Sequence, residues 1–158
     1  HAAGLGQESL AELAKRLATP ICLDESLTSL AVTEQALDMG ACSVVCVKAP
    51  RYGSWLEAAV VLDRCLGNGV AAWVGGMLDT GMGRLANVAL AAHPGATLPG
   101  DLSSTAHIFT ADVTPMVPLE VDGAGHGHLC VPAGPGLGAV PDPQHLEALT
   151  VAVELVRR

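Results

Sequence analysis

The sequence predicts an α/β fold in which parallel strands alternate with helices, about half of a (β/α) barrel, followed by a tail of different texture. Three observations predict it. Short uncharged runs recur with a period of roughly 25 residues, each followed by a helix-patterned stretch. Half of the residues are hydrophobic, yet Tyr52, Trp55, Trp73 and Phe109 are the only aromatics. The core is therefore Ala, Val and Leu, the filling of parallel sheets buried under helices. Finally, polar or glycine-rich positions mark the strand ends: Asp24, then Lys48 after 24 residues, Gly75 after 27 more and Gly100 after another 25.

In chain order, Leu10, Leu13, Ala14 and Leu17 recur at helical spacing between Gln7 and Ala18, with Glu8, Glu12, Lys15 and Arg16 on the other side. Pro20-Ile21-Cys22-Leu23 reads as a strand ending in Asp24-Glu25. Ser26 is the expected N-cap of a helix reaching Met39 and closed by Gly40. Val44 to Val47 is the next strand and ends in Lys48. Ser54 to Leu66 is a helix with an N-cap serine and a stop at Gly67. Val70 to Val74 is a buried strand, and Gly75-Gly76 ends it with backbone able to turn sharply or approach a ligand. A helix from Arg84 to Ala92 follows, and Thr97-Leu98 leads into Pro99-Gly100-Asp101, a fourth strand end. The plain alternative for Gly75-Gly76 is an ordinary glycine-rich loop, since a glycine pattern alone is a weak signal.

Strand alternation places Cys22 with Asp24 on one face and Cys46 with Lys48 likewise. If Ile21, Leu23, Val45 and Val47 pack on helices, then Asp24, Cys46 and Lys48 point inward at the carboxyl end of the strands, where barrel active sites lie. A whole barrel takes about 250 residues and eight strands. Four strands therefore make residues 1–103 about half of a TIM-type barrel. Residues 104–158 lose the period. There Thr105 to Phe109, Pro118 to Val121 and His128 to Val131 read as short extended pieces. Pro143 opens a terminal helix through Val156. His126-Gly127-His128 is a metal-type pair on a strand, but two histidines do not complete a site and no third ligand is evident.

A net charge of −8, with no basic cluster beyond Arg157-Arg158, argues against a nucleic-acid partner. No apolar run approaches the ~18 residues of a membrane span. No signal peptide is visible, and His1 in place of an initiator methionine warns that the start is not a natural one. Five scattered cysteines without a Cys-x-x-Cys fit free, buried thiols in a reducing, cytoplasmic setting.

An inward carboxylate and an inward amine on adjacent strands point to a metal–lysine site acting on a small-molecule carboxylate. Asp24 is a hard oxygen donor suited to Mg²⁺. Lys48 is a candidate for proton transfer, its pKa lowered by a neighbouring cation and the barrel wall. The alternatives on spacing alone are a helix N-terminal carboxylate for Asp24 and a snorkelling surface lysine for Lys48.

Pro20 to Ser26, Val47-Lys48 with Arg51, Gly75-Gly76-Met77 through Gly81-x-Gly83-Arg84-x-x-Asn87, and Pro99-Gly100-Asp101 together resemble the enolase superfamily. The branch is that of o-succinylbenzoate synthase and N-acylamino acid racemase, over about Leu10 to Gly138. The resemblance implies a lyase of menaquinone biosynthesis, or a racemase on the same scaffold, using Mg²⁺ or another divalent cation such as Mn²⁺. It implies Asp24 as a metal ligand, Lys48 as the catalytic lysine, and Cys46, Gly75, Gly76 and Met77 as substrate-lining. Glu25, Asp79 and Arg84 stand behind these as supporting residues. The tail after Asp112 would return to the capping domain.

Some positions depart from the family pattern. Cys46 replaces a usual asparagine, Ala49-Pro50 a Pro-Gly, Gly53-Ser54 a Gly-Gly, and Asp79 a glutamate. Nothing corresponds to the family's Lys-x-Lys motif or to its first two metal carboxylates. With one lysine at the site, two-base racemisation lacks its second base. In the synthase reaction Lys48 would support the enolate electrostatically. The chain alone is thus expected to be inactive. Unpaired strand edges favour association with a complementary chain or as a homo-oligomer.

Overall fold

The computed structural model describes residues 6–156. Its organising element is a parallel sheet of β1 (Cys22–Leu23), β2 (Val44–Val47) and β3 (Ala71–Val74), in that order. The register sets Leu23 beside Val45 and Val45 beside Ala72, while Cys46 lies beside Trp73 and Val47 beside Val74. The expected fourth strand end joins β3 without forming a strand, through a parallel bridge between Gly75 and Asp101 and a hydrogen bond from Leu98 N–H to the Ala72 carbonyl at 3.0 Å. Gly76 N–H donates to the Asp101 carbonyl at 2.9 Å, and Asp101 N–H to that of Val74 at 3.1 Å.

Helices fill the crossovers: α1 (Gln7–Ala14) precedes β1, α2 (Leu30–Asp38) joins β1 to β2, α3 (Trp55–Gly67) joins β2 to β3, and α4 (Gly81–Ala91) follows β3. Leu23, Val45, Val47, Ala72 and Val74 are buried in one cluster with Ala36 and Leu37 of α2 and Ala58, Val61 and Leu62 of α3. This is the face expected to pack on helices, so Cys46 and Lys48 occupy the opposite one. Each buried valine or leucine contributes roughly 1.5–3 kcal/mol of transfer free energy. Gly95 sits where a Cβ would collide with the Leu62 carbonyl, letting the chain pass α3 closely.

Several boundaries differ from expectation, each for a local reason. The N-cap of α2 is Ser29, not Ser26: the Ser29 hydroxyl accepts from Val32 N–H at 3.2 Å, while Leu27 N–H closes a turn on the Asp24 carbonyl. Ser54 caps α3 as expected, accepting from Glu57 N–H at 3.1 Å. Helix α1 stops at Ala14 instead of Ala18. Helix α4 starts three residues early, at Gly81.

The chain divides into two compact units, His1–Met77 with Asn87–Leu102 and Leu78–Ala86 with Ser103–Arg158, as far as these are described. In the second unit, Thr105 to Phe109 is not extended. Ser104 accepts from Ala106 N–H and opens a 3₁₀ turn over Thr105–His107. The buried Asp112 carboxylate accepts from Gly81 N–H at 2.8 Å, which fixes the early start of α4. Two short strands, β4 (Glu120–Val121) and β5 (Gly127–His128), form an antiparallel hairpin. The terminal helix α5 (Pro143–Leu149) ends seven residues before Val156. It buries no residue, so no packing carries it on through Val151 and Val153, which are weak helix formers.

Candidate active site

Three strand ends place the expected residues. Asp24 follows β1 directly. Lys48 follows β2 and opens a 3₁₀ turn over Ala49–Tyr52, whose third residue is Arg51. Gly75 follows β3, donating its N–H to the Val47 carbonyl at 2.9 Å. Parallel pairing therefore brings Asp24, Lys48 and Gly75 to one edge of the sheet from widely separated sequence positions.

Lys48 Nζ donates to Asp24 Oδ2 at 2.7 Å, and Arg51 Nη1 donates to Asp24 Oδ1 at 2.5 Å. Glu25 Oε1 lies 3.9 Å from Lys48 Nζ and 3.7 Å from Arg51 Nη2. Burial alone would raise the Asp24 carboxyl, but the hydrogen bonds from Lys48 and Arg51 outweigh it and hold its pKa below the ordinary value of 3.8. The hydrogen bond to Asp24 likewise raises Lys48 above its ordinary 10.5, against partial desolvation. The direction is opposite to the lowering expected for Lys48 beside a bound cation: its hydrogen bond to Asp24 favours the ammonium.

Cys46 is 1% exposed. Burial, reinforced by the Asp24 charge, pushes its thiol up to about 12, so it is a neutral thiol beside the ion pair. Gly75 is required by its neighbours: a Cβ there would stand 2.6 Å from Cys46 Sγ and 2.8 Å from Lys48 Cε. Asp24, Glu25, Cys46, Lys48 and Gly75 are thus brought together, and Gly76 adjoins them through the Asp101 bridge. Met77 is 56% exposed. Asp79 and Arg84 belong to the second unit, where Arg84 Nη2 lies 3.7 Å from Asp79 Oδ2. Arg51 was given no role by spacing. Its position one 3₁₀ turn after Lys48 is the signal that would have found it.

The residues present do not make a divalent-cation site. Both oxygens of Asp24 are bonded to cationic side chains, and among the described residues no three His, Cys, Asp or Glu are grouped to hold a metal. Hard cations such as Mg²⁺ take several oxygen donors, and this edge supplies Asp24 and the half-exposed Glu25.

Comparison with known proteins agrees with the geometry. The family profile described as "Enolase C-terminal domain-like" matches residues 4–145. An N-succinylamino acid racemase of an Amycolatopsis species is 48% identical over 90% of this chain and 37% of its own length. An o-succinylbenzoate synthase of Geobacillus kaustophilus is 38% identical over 94% of this chain and 38% of its own. A solved enolase-superfamily structure from Listeria innocua superposes with a TM-score of 0.79 at 34% identity, covering 92% of this chain and 39% of the other. The chain thus spans less than two fifths of the relatives it matches. It belongs to the enolase superfamily, within the C-terminal domain.

Proposed function

We propose that this chain is the C-terminal part of an o-succinylbenzoate synthase, a lyase that removes water from a small carboxylate through an enolate. The reading rests on the Lys48 ammonium held 2.7 Å from Asp24 at the end of β2. A lysine kept protonated by a carboxylate suits electrostatic support of negative charge developing on a substrate carboxylate, not proton abstraction. Cys46, Gly75, Gly76 and Met77 line the substrate side in this reading. Glu25, Asp79 and Arg84 support them. Asp24 contributes one carboxylate to a Mg²⁺ or Mn²⁺ site whose remaining ligands, like the base, come from polypeptide outside this chain. Residues 1–103 are read as the last four strand units of the barrel and 104–158 as the return to the capping region, in a cytoplasmic enzyme.

N-acylamino acid racemisation is the second reading. Its support is the higher identity to the Amycolatopsis racemase, 48% against 38% for the Geobacillus synthase. A chimera tests both: residues 4–145 replace the matching segment of the Amycolatopsis enzyme, and dehydration and racemisation are followed side by side. Dehydration is expected, with Lys48→Ala lowering it by about 10²-fold or more in a chimera that keeps its circular dichroism. A folded, active chimera indifferent to Lys48→Ala overturns the assignment of Lys48. Loss of racemisation alone on Lys48→Arg, which keeps the charge, favours a proton-transfer role and the second reading.

A further inference from the structure

The stretch from Met77 to Thr80, between the end of β3 and the start of α4, is shaped by the tail. Met77 and Leu78 expose most of their surface, so burial contributes little to its conformation. Polar and steric contacts fix where it ends, and they lie within the second unit, which holds both Leu78–Ala86 and Ser103–Arg158. Gly81, the first residue of α4, is buried. Its N–H is one of the four that a helix leaves without an internal partner. Asp112 Oδ2 accepts it at 2.8 Å, and a carboxylate at that end is favoured by the helix dipole.

The fit around this bond is tight. A Cβ on Gly81 would collide with Thr114 Oγ1 and stand 3.2 Å from Asp112 Oδ2. A Cβ on Gly83 would stand 3.3 Å from that of Asp79, so the loop folds back on the first turn of α4. The buried Arg84 closes that turn. Its N–H donates to the Thr80 carbonyl at 2.9 Å, and its Nη2 lies 3.7 Å from Asp79 Oδ2. Asp112 is itself held firmly. Ser104 Oγ donates to the Val117 carbonyl at 2.6 Å, and Val117 N–H donates to Thr105 Oγ1 at 3.1 Å, tying together the chain on either side. Asp142 N–H donates to the Val113 carbonyl at 2.7 Å, and His145 Nδ1 to that of Asp112 at 3.0 Å. Asp112 Oδ1 has no hydrogen-bond partner among the described residues, so the link to α4 runs through Oδ2. Burying a carboxylate is costly, and a role in packing alone would be served by an apolar side chain.

We propose that Asp112 is a positioning residue for substrate binding: by fixing Gly81 it sets the end of the Met77–Thr80 loop, and with it Met77, Asp79 and Arg84. The inference rests on the reading of Met77 as substrate-lining and of Asp79 and Arg84 as its support. Asp112 acts through the loop and not on the substrate. The tail thereby shapes the site from a position 31 residues beyond α4's first residue.

The test has two readouts, one of which needs no turnover. In the full chain, Asp112→Ala is expected to speed amide hydrogen exchange at Gly81 and Arg84 by about fivefold or more, as for a lost helix cap. Exchange at Val61 and Leu62 of α3, in the first unit, stays at the parent rate. Asp112→Asn keeps an acceptor oxygen for Gly81 N–H and is expected to restore the parent pattern. In the chimera carrying residues 4–145, Asp112→Ala raises KM by about the same factor with kcat within about twofold, and Asp112→Asn recovers it. Unchanged exchange at Gly81 and Arg84 overturns the proposal. So does an equal rise in α3, which would make Asp112 a contributor to global stability only. An exchange response with KM unmoved, or Asp112→Asn no better than Asp112→Ala, overturns it as well. A chimera whose KM responds to Asp112→Ala while its turnover ignores Lys48→Ala supports the positioning role and overturns the assignment of Lys48, so the two failures are told apart.

Discussion

Lys48, Asp24 and Arg51 show how much of a site rests on single side chains. The carboxylate is held low and the ammonium high, so their signs run oppositely with pH. The Asp24 contribution to stability is complete above its ordinary value of 3.8 and is lost as pH falls through its lowered folded value. The Lys48 contribution is complete below 10.5 and is lost as pH rises through its raised folded value. Arg51→Met removes one of the two donors, and the Asp24 pKa read by carboxyl NMR is expected to move upward. An unchanged titration would show that Arg51 does not set it. Gly75 is a second test at this scale. Gly75→Ala drives a methyl into Cys46 and Lys48 and is expected to cost about 1–3 kcal/mol in urea denaturation. A neutral Gly75→Ala would mean the Lys48 stem yields freely. Asp24 and Lys48 were legible in the sequence as strand-end residues. The direction of the Lys48 shift was not, because it depends on which partner sits at 2.7 Å, and spacing cannot supply a distance.

At the level of elements, periodicity read the order of α1 to α4 and β1 to β3 but not the fourth strand end, and local capping chemistry decided the boundaries. Ser26 and Ser29 are both acceptable N-caps by residue type. The structure uses Ser29 because its extended backbone (φ −162°, ψ 167°) aims the hydroxyl at Val32 N–H, whereas Ser26 lies inside the turn closed by Leu27. Ser29→Ala and Ser54→Ala are each expected to cost about 1 kcal/mol, and Ser26→Ala little, by equilibrium unfolding. Equal losses at Ser26 and Ser29 would contradict the assigned cap. The tail was the less legible part. Thr105 to Phe109 looked extended because its β-prone composition outweighed the capping serine at 104. The start of α4 was hidden because its partner, Asp112, lies 31 residues away in sequence.

For the whole molecule, the decisive fact is incompleteness of chemistry despite a well-formed sheet edge. β1, β2 and β3 are ordered and cored, so the geometry at Asp24 and Lys48 is an intrinsic property of this chain. Yet the one well-placed carboxylate is already spent on two cations, and a divalent ion would have to displace Lys48 and Arg51 from it to gain one ligand. With no other grouped donors among the described residues, the balance favours the internal ion pairs. Isothermal titration with Mg²⁺ is therefore expected to show no saturable site at millimolar concentrations, and the chain alone no dehydration of substrate. Within the chimera carrying residues 4–145, added carboxylates change that balance, and Mg²⁺ binding sensitive to Asp24→Asn should appear. Tight Mg²⁺ binding by the isolated chain, abolished by Asp24→Asn, would show that the rim is self-sufficient and that the missing partners are not needed. Absence of binding in both chain and chimera would instead remove Asp24 from the metal site, leaving it a partner of Lys48 alone.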